Sequence, residues 1–158
     1  MSKQKPHEVL KLRNGRGLKI AIVTSLFNRE YTKALEDAGL RALQDSHVAK
    51  KDITIVHVPG ALELPFAAAR LMKKKLDAII CYGVVIRGDT DHYMAVFSGV
   101  ERGLTLLNTQ GKVPILHGVI FAHNIKQVKE RIHNDKTNMG YYTALAAVEI
   151  GLVTKEKL

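Results

Sequence analysis

Residues 77–93 read DAIICYGVVIRGDTDHY. The first ten form a nearly unbroken apolar run, which predicts a strand over 77–86 with both faces covered. A polar corner of Arg87, Gly88, Asp89, Thr90 and Asp91 ends that run. Tyr93, Val96, Val100, Leu104 and Leu107 then recur at the spacing of one helical stripe, with a stop near Gly111. A buried strand that hands over directly to an amphipathic helix is the repeating unit of an α/β sheet.

The same handover is found on either side. GLKIAIVTSLF (17–27) is a second continuous apolar run, and Tyr31, Leu35, Ala38 and Ala42 lie on one stripe of a helix over about 28–45. ITIVHV (53–58) predicts a strand that turns at Pro59-Gly60 into a helix, with Pro65 tolerable in its first turn. VPILHGVIF (113–121) predicts the last strand, followed by helices over about 124–133 and 139–150. Alternation at this spacing gives right-handed βαβ units. The expected fold is a three-layer α/β/α sandwich around a mainly parallel four-stranded sheet, of the flavodoxin-like kind. One domain over 17–158 follows an N-terminal arm over 1–16, with no internal repeat, linker or low-complexity stretch.

Bulk properties narrow the class. With 158 residues, 46% hydrophobic and 25% charged, the chain has the balance of one globular domain rather than a disordered segment. No apolar run approaches the ~18–20 residues needed to cross a bilayer. The start, MSKQKPHEVLKLRNGRG, lacks the apolar stretch of a secretory signal, so a cytoplasmic location is expected. Cys81 is the sole cysteine, lies in an apolar run and reads as a small core residue. The net charge of +9 favours an acidic partner or a phosphate-bearing small molecule. Aromatic residues are not interleaved with the basic ones, so nucleic acid is not the expected partner. The seven histidines show neither HExxH nor a CxxC partner, and no metal site is expected. GxGxxG, GxxxxGK[ST] and GxSxG are all missing from the chain.

In parallel sheets, ligands lie beyond the carboxyl ends of the strands. Here those ends carry residues 25–28, 59–63 and 87–92, with 117–121 from the fourth strand. Gly88, Asp89 and Thr90 open a helix, where unsatisfied N–H groups favour an anion. The alternative is a plain turn in which Thr90 or Asp91 caps the helix. Asp89 and Asp91 also oppose a phosphate unless their side chains point away. His92, in the first helical turn, is a proton carrier or an ordinary surface histidine. Glu63 is an acceptor for a polyol or amine, or simply a carboxylate favoured at a helix start. Phe27 is a stacking face for a flat heterocycle or a core aromatic. Arg131 is a phosphate clamp or an exposed helix arginine.

Three of these segments, VPGALELPFAA (58–68), GVVIRGDTDHY (83–93) and VPILHGVI (113–120), occur in the order and spacing of one family. Together with GLKIAIVTSLFN at the start and ERIHNDKTNMGYYTALAAVEI (130–150) at the end, the chain resembles the 6,7-dimethyl-8-ribityllumazine synthases. The resemblance implies condensation of 5-amino-6-ribitylamino-uracil with 3,4-dihydroxy-2-butanone 4-phosphate, releasing phosphate and water, in the penultimate step of riboflavin synthesis. It implies Phe27 stacking on the pyrimidine, and Ala61, Leu62 and Glu63 holding the ribityl chain. Val85 and Ile86 would offer main-chain groups to the pyrimidine edge, Gly88, Asp89 and Thr90 would cradle phosphate, and His92 would shuttle protons. No cofactor or metal is implied. The family's sites lie between subunits of a ring of five, so His117 and Arg131 would reach a neighbour's site, His117 to cover the heterocycle and Arg131 to meet the phosphate. Two departures stand out. His117 occupies a position where phenylalanine is usual, and DKTNMG replaces the common KAGNKG, with Met139 where a phosphate-side lysine often lies. They keep open a second reading, a non-catalytic relative that binds a lumazine or flavin. Residues 131–140 carry no insertion relative to members that build shells of twelve pentamers.

Overall fold

The computed structural model describes residues 5–158. Four strands, β1 (Ile20–Ser25), β2 (Ile53–Val58), β3 (Ala78–Ile86) and β4 (Ile115–Ala122), form one sheet in the order β2-β1-β3-β4. Every neighbouring pair is parallel, with Ile20 opposite Ile53 and Ala78, and Ile79 opposite Ile115. The helices are α1 (Pro6–Val9, a single turn), α2 (Arg29–Asp45), α3 (Leu64–Leu71), α4 (His92–Asn108), α5 (Ile125–Lys129) and α6 (Met139–Lys157).

Side chains along a strand alternate between faces, and the two central strands use both faces for core. Ile20, Ile22, Ile80 and Tyr82 point to a layer made by Leu35, Ala38 and Ala42 of α2 with Ala144, Leu145 and Val148 of α6. Ala21, Val23, Ile79 and Cys81 point the other way, to Leu64, Ala68 and Leu71 of α3 and Val96, Val100 and Leu104 of α4. The expected three-layer arrangement is therefore present. Cys81 is fully buried and free, and burial pushes its thiol up to about 12.

Tyr82 ties the α2–α6 layer to the sheet. Its hydroxyl donates to the Gly140 carbonyl at 2.6 Å. Its ring fills space that only glycines leave free, since a Cβ on Gly39 or Gly118 would run into it. Before β1, Gly15 donates its N–H to Ser46 O at 2.6 Å, and Arg13 pairs with Glu149 at 3.0 Å. These contacts fasten residues 13–15 to α2 and α6.

Some element limits differ from the pattern in the sequence. The helix expected over 124–133 closes at Lys129, because residues 130–138 fold into a loop bridged by Met139 N–H to Arg131 O at 2.8 Å. The buried Asn138 braces that loop, donating to His133 O at 3.0 Å and capping α6 by accepting from Gly140 N–H at 2.7 Å. The last helix passes its expected end at 150 and continues to Lys157, with Gly151 seated over Leu18. A short 3-10 turn, Ala61–Glu63, precedes α3.

Candidate active site

The carboxyl ends of β1, β2 and β3 enclose a cleft of about 370 Å³. Each wall is set by how its loop leaves the sheet. After β1, the N–H groups of Leu26 and Phe27 donate to Val58 O (2.8 Å) and Pro59 O (2.9 Å), stitching this loop to the exit of β2. Phe27 lines the cleft with 72% of its surface exposed, so it is not a core aromatic.

After β2, Ala61, Leu62 and Glu63 line the second wall. Glu63 accepts the Gly60 N–H at 2.8 Å through Oε2, a capping contact that fixes the carboxylate at the turn. Glu63 is itself one of the residues that line the cleft.

After β3, Val85, Ile86, Gly88, Thr90 and His92 line the third wall. Capping explains this corner poorly. The Asp91 carboxylate makes no cap bond, and Thr90 Oγ1 receives the His92 N–H only at a long 3.4 Å. Gly88 is equally unexplained by the chain itself, because a Cβ there would meet nothing within 4 Å. Asp89 is exposed between Gly88 and Thr90 but does not line the cleft.

His117 and Arg131 lie outside the cleft of their own chain. His117 faces α4, its Nε2 2.8 Å from Glu101 Oε1 and its ring tilted against Phe121 at 6.2 Å. Arg131 is exposed after α5 and donates through Nη1 to Gln127 O at 2.9 Å. Among the described residues no group of three or more histidine, cysteine, aspartate or glutamate side chains is placed to hold a metal ion. No helix among them is long and apolar enough to cross a membrane.

The cleft also contains Asn28, Gly60, Val84, Tyr93 and Val96. Tyr93 and Val96 were legible only as helix stripe, and Asn28 only as the start of α2. Left-handed backbone at residue 28 (φ 57°, ψ 42°) is the signal that sets it apart, since asparagine adopts that region more readily than most residues.

A cleft with apolar walls and one polar corner, at the strand ends of a parallel sheet, marks an α/β protein that takes up a small molecule. The family model for 6,7-dimethyl-8-ribityllumazine synthase matches residues 17–155. A 6,7-dimethyl-8-ribityllumazine synthase of Pediococcus pentosaceus is 40% identical over 138 residues, covering 87% of this chain and 88% of that protein. One of Kosmotoga olearia is 38% identical over 143 residues, covering 90% and 92%. The chain belongs to the 6,7-dimethyl-8-ribityllumazine synthase family.

Proposed function

We propose that the protein condenses 5-amino-6-ribitylamino-uracil with 3,4-dihydroxy-2-butanone 4-phosphate to give 6,7-dimethyl-8-ribityllumazine, phosphate and water. Family membership supports the reaction. The observation that carries it to this chain is a single cleft lined by an exposed aromatic, a carboxylate and a glycine–threonine–histidine corner.

Phe27 stacks on the pyrimidine, Glu63 accepts ribityl hydroxyls beside Ala61 and Leu62, and the Val85–Ile86 stretch meets the ring edge. The ketone phosphate lies at the start of α4, where Gly88 lets the phosphate approach and Thr90 lines the corner, while Asp89, which does not line the cleft, takes part through its main chain. The 5-amino group attacks the ketone, and loss of water gives an imine. Phosphate then leaves, and the ribityl-bearing nitrogen closes the ring with loss of a second water. His92, beside the phosphate corner, carries protons in these steps. Holding two reactants in a reactive geometry supplies much of the acceleration.

The catalytic unit is the domain over 17–158, with 1–16 as its arm, in a cytoplasmic homo-oligomer. Exposed apolar side chains on the α3–α4 side support assembly. Leu62 and Phe66 are exposed four residues apart, and Met94 and Leu106 are exposed near the two ends of α4. In a ring of five, His117 and Arg131 complete a neighbour's site, His117 over the heterocycle and Arg131 at the phosphate.

The test follows lumazine absorbance with both substrates against an enzyme-free control. Clear acceleration is expected, with His92→Ala slower by ~10²-fold. Binding of the pyrimidine without acceleration overturns the reaction in favour of a non-catalytic lumazine binder.

A further inference from the structure

Strand β3 outruns β1. Their ladder ends with Thr24 opposite Tyr82, whereas β3 stays paired with β4 as far as Ile86 opposite Ala122. Residues 83–86 therefore keep one edge in the sheet and present the other to the β1–α2 loop. Main-chain groups of successive strand residues point to opposite edges. Arg87 N–H donates to Ala122 O on the β4 side at 2.9 Å, which places Val85 on that side and Val84 and Ile86 on the other.

Asn28 occupies this second edge. Its Nδ2 donates to the Val84 carbonyl at 2.8 Å. The residue stands at the N-cap position of α2, yet its side chain makes no cap bond. Its left-handed backbone (φ 57°, ψ 42°) turns the amide across to β3 instead. Two consequences meet in the cleft. The β1–α2 loop is fastened to β2 through Leu26 and Phe27 and to β3 through Asn28. The main-chain N–H and C=O of Ile86 are the next groups along the edge that Asn28 has engaged, and Ile86 lines the cleft with Phe27.

We propose that Asn28 is a positioning residue for the pyrimidine substrate, setting the Phe27 stacking face against the main-chain edge of Ile86. This rests on the reading of the cleft given above. It assigns the edge contact to Ile86 rather than Val85, whose main-chain groups are turned to β4. Because the bond lies away from the Gly88–Thr90 corner, its loss falls on one substrate of the two.

Three variants separate the bond from the backbone. Asn28→Gly keeps the left-handed conformation and loses the donor. Asn28→Asp keeps a side chain suited to that conformation but offers the Val84 carbonyl only an acceptor. Asn28→Ala loses both features. KM for each substrate, kcat, thermal stability and equilibrium binding of 5-amino-6-ribitylamino-uracil are measured. In Asn28→Gly and Asn28→Asp, KM and Kd for the pyrimidine are expected to rise about tenfold, with KM for the ketone phosphate and kcat within about twofold of wild type. Unchanged pyrimidine KM and Kd in both variants overturn the proposal, as does a loss of stability that raises both KM values alike. If the wild type binds the pyrimidine without turnover, the reaction is overturned and the binding constants still decide the role of Asn28. A wild type that binds no pyrimidine overturns both.

Discussion

At the scale of single residues, the most constrained charge is one that does not line the cleft. Glu36 of α2 is 5% exposed, with Arg29 Nη2 at 2.9 Å and His57 Nε2 at 2.8 Å from its two oxygens. Burial pushes the carboxyl up, but the hydrogen bonds, that from Arg29 first, together with the Arg29 charge outweigh it and hold the group below its ordinary value of 4.5. A carboxyl lowered in the folded state stabilises the fold above its unfolded pKa and loses that contribution as pH falls through the folded value. The stability advantage of wild type over Glu36→Gln is therefore expected to be full near neutrality and to shrink below pH 4.5 in denaturant titrations. A constant advantage from neutrality into acid contradicts the pairing. This cluster was hidden in the sequence, because Arg29 is seven residues away and His57 comes from β2. The cleft residues were easier to read. Phe27, Glu63, Gly88, Thr90 and His92 all sit where a strand ends, a place that chain order alone identifies. Asn28 escaped because its partner, Val84 O, is a main-chain atom remote in sequence.

At the scale of elements, apolar runs located all four strands and apolar stripes located α2 and α4, since burial imposes those periods locally. Their limits depended on contacts made elsewhere. The helix expected to end at 150 runs on through Gly151, which packs over Leu18. The end of α5 was unreadable because it is set by Met139 closing back on Arg131. The join between α2 and β3 follows the same logic. Gly39 leaves room for Tyr82, and a Cβ there would approach the ring carbon Cζ at 2.9 Å. Gly39→Ala gains helix propensity but overpacks this join, with an expected net loss of about 1–3 kcal/mol in urea unfolding. A variant as stable as wild type would mean that the tyrosine moves aside at no cost.

At the scale of the whole molecule, the exposed apolar side chains on α3 and α4 are the feature that one chain does not account for. Phe66 is 71% exposed and Leu106 60%, both on the helices that cover one face of the sheet. Under the proposed assembly, Phe66→Asp combined with Leu106→Asp is expected to lower the native mass towards that of one chain in light scattering while leaving the helical circular dichroism intact. An unchanged oligomeric mass would move the proposed subunit contact to another face, and a wild type with the mass of one chain would overturn the assembly. The net charge of +9 was legible at once, but charge has no direction in a sequence, and it says nothing of which face meets a neighbour. Cys81 has a different kind of reach. It lies in β3, flanked by Val23 of β1 and His117 of β4, with its side chain turned to the α3–α4 layer, and it is the only cysteine of the chain. A thiol reagent in native buffer meets it only when the α3–α4 layer lifts from the sheet, so the rate of its capture is a clock for opening of that core. The protein thus carries a reporter of its own breathing, readable without any substitution, dye or label elsewhere.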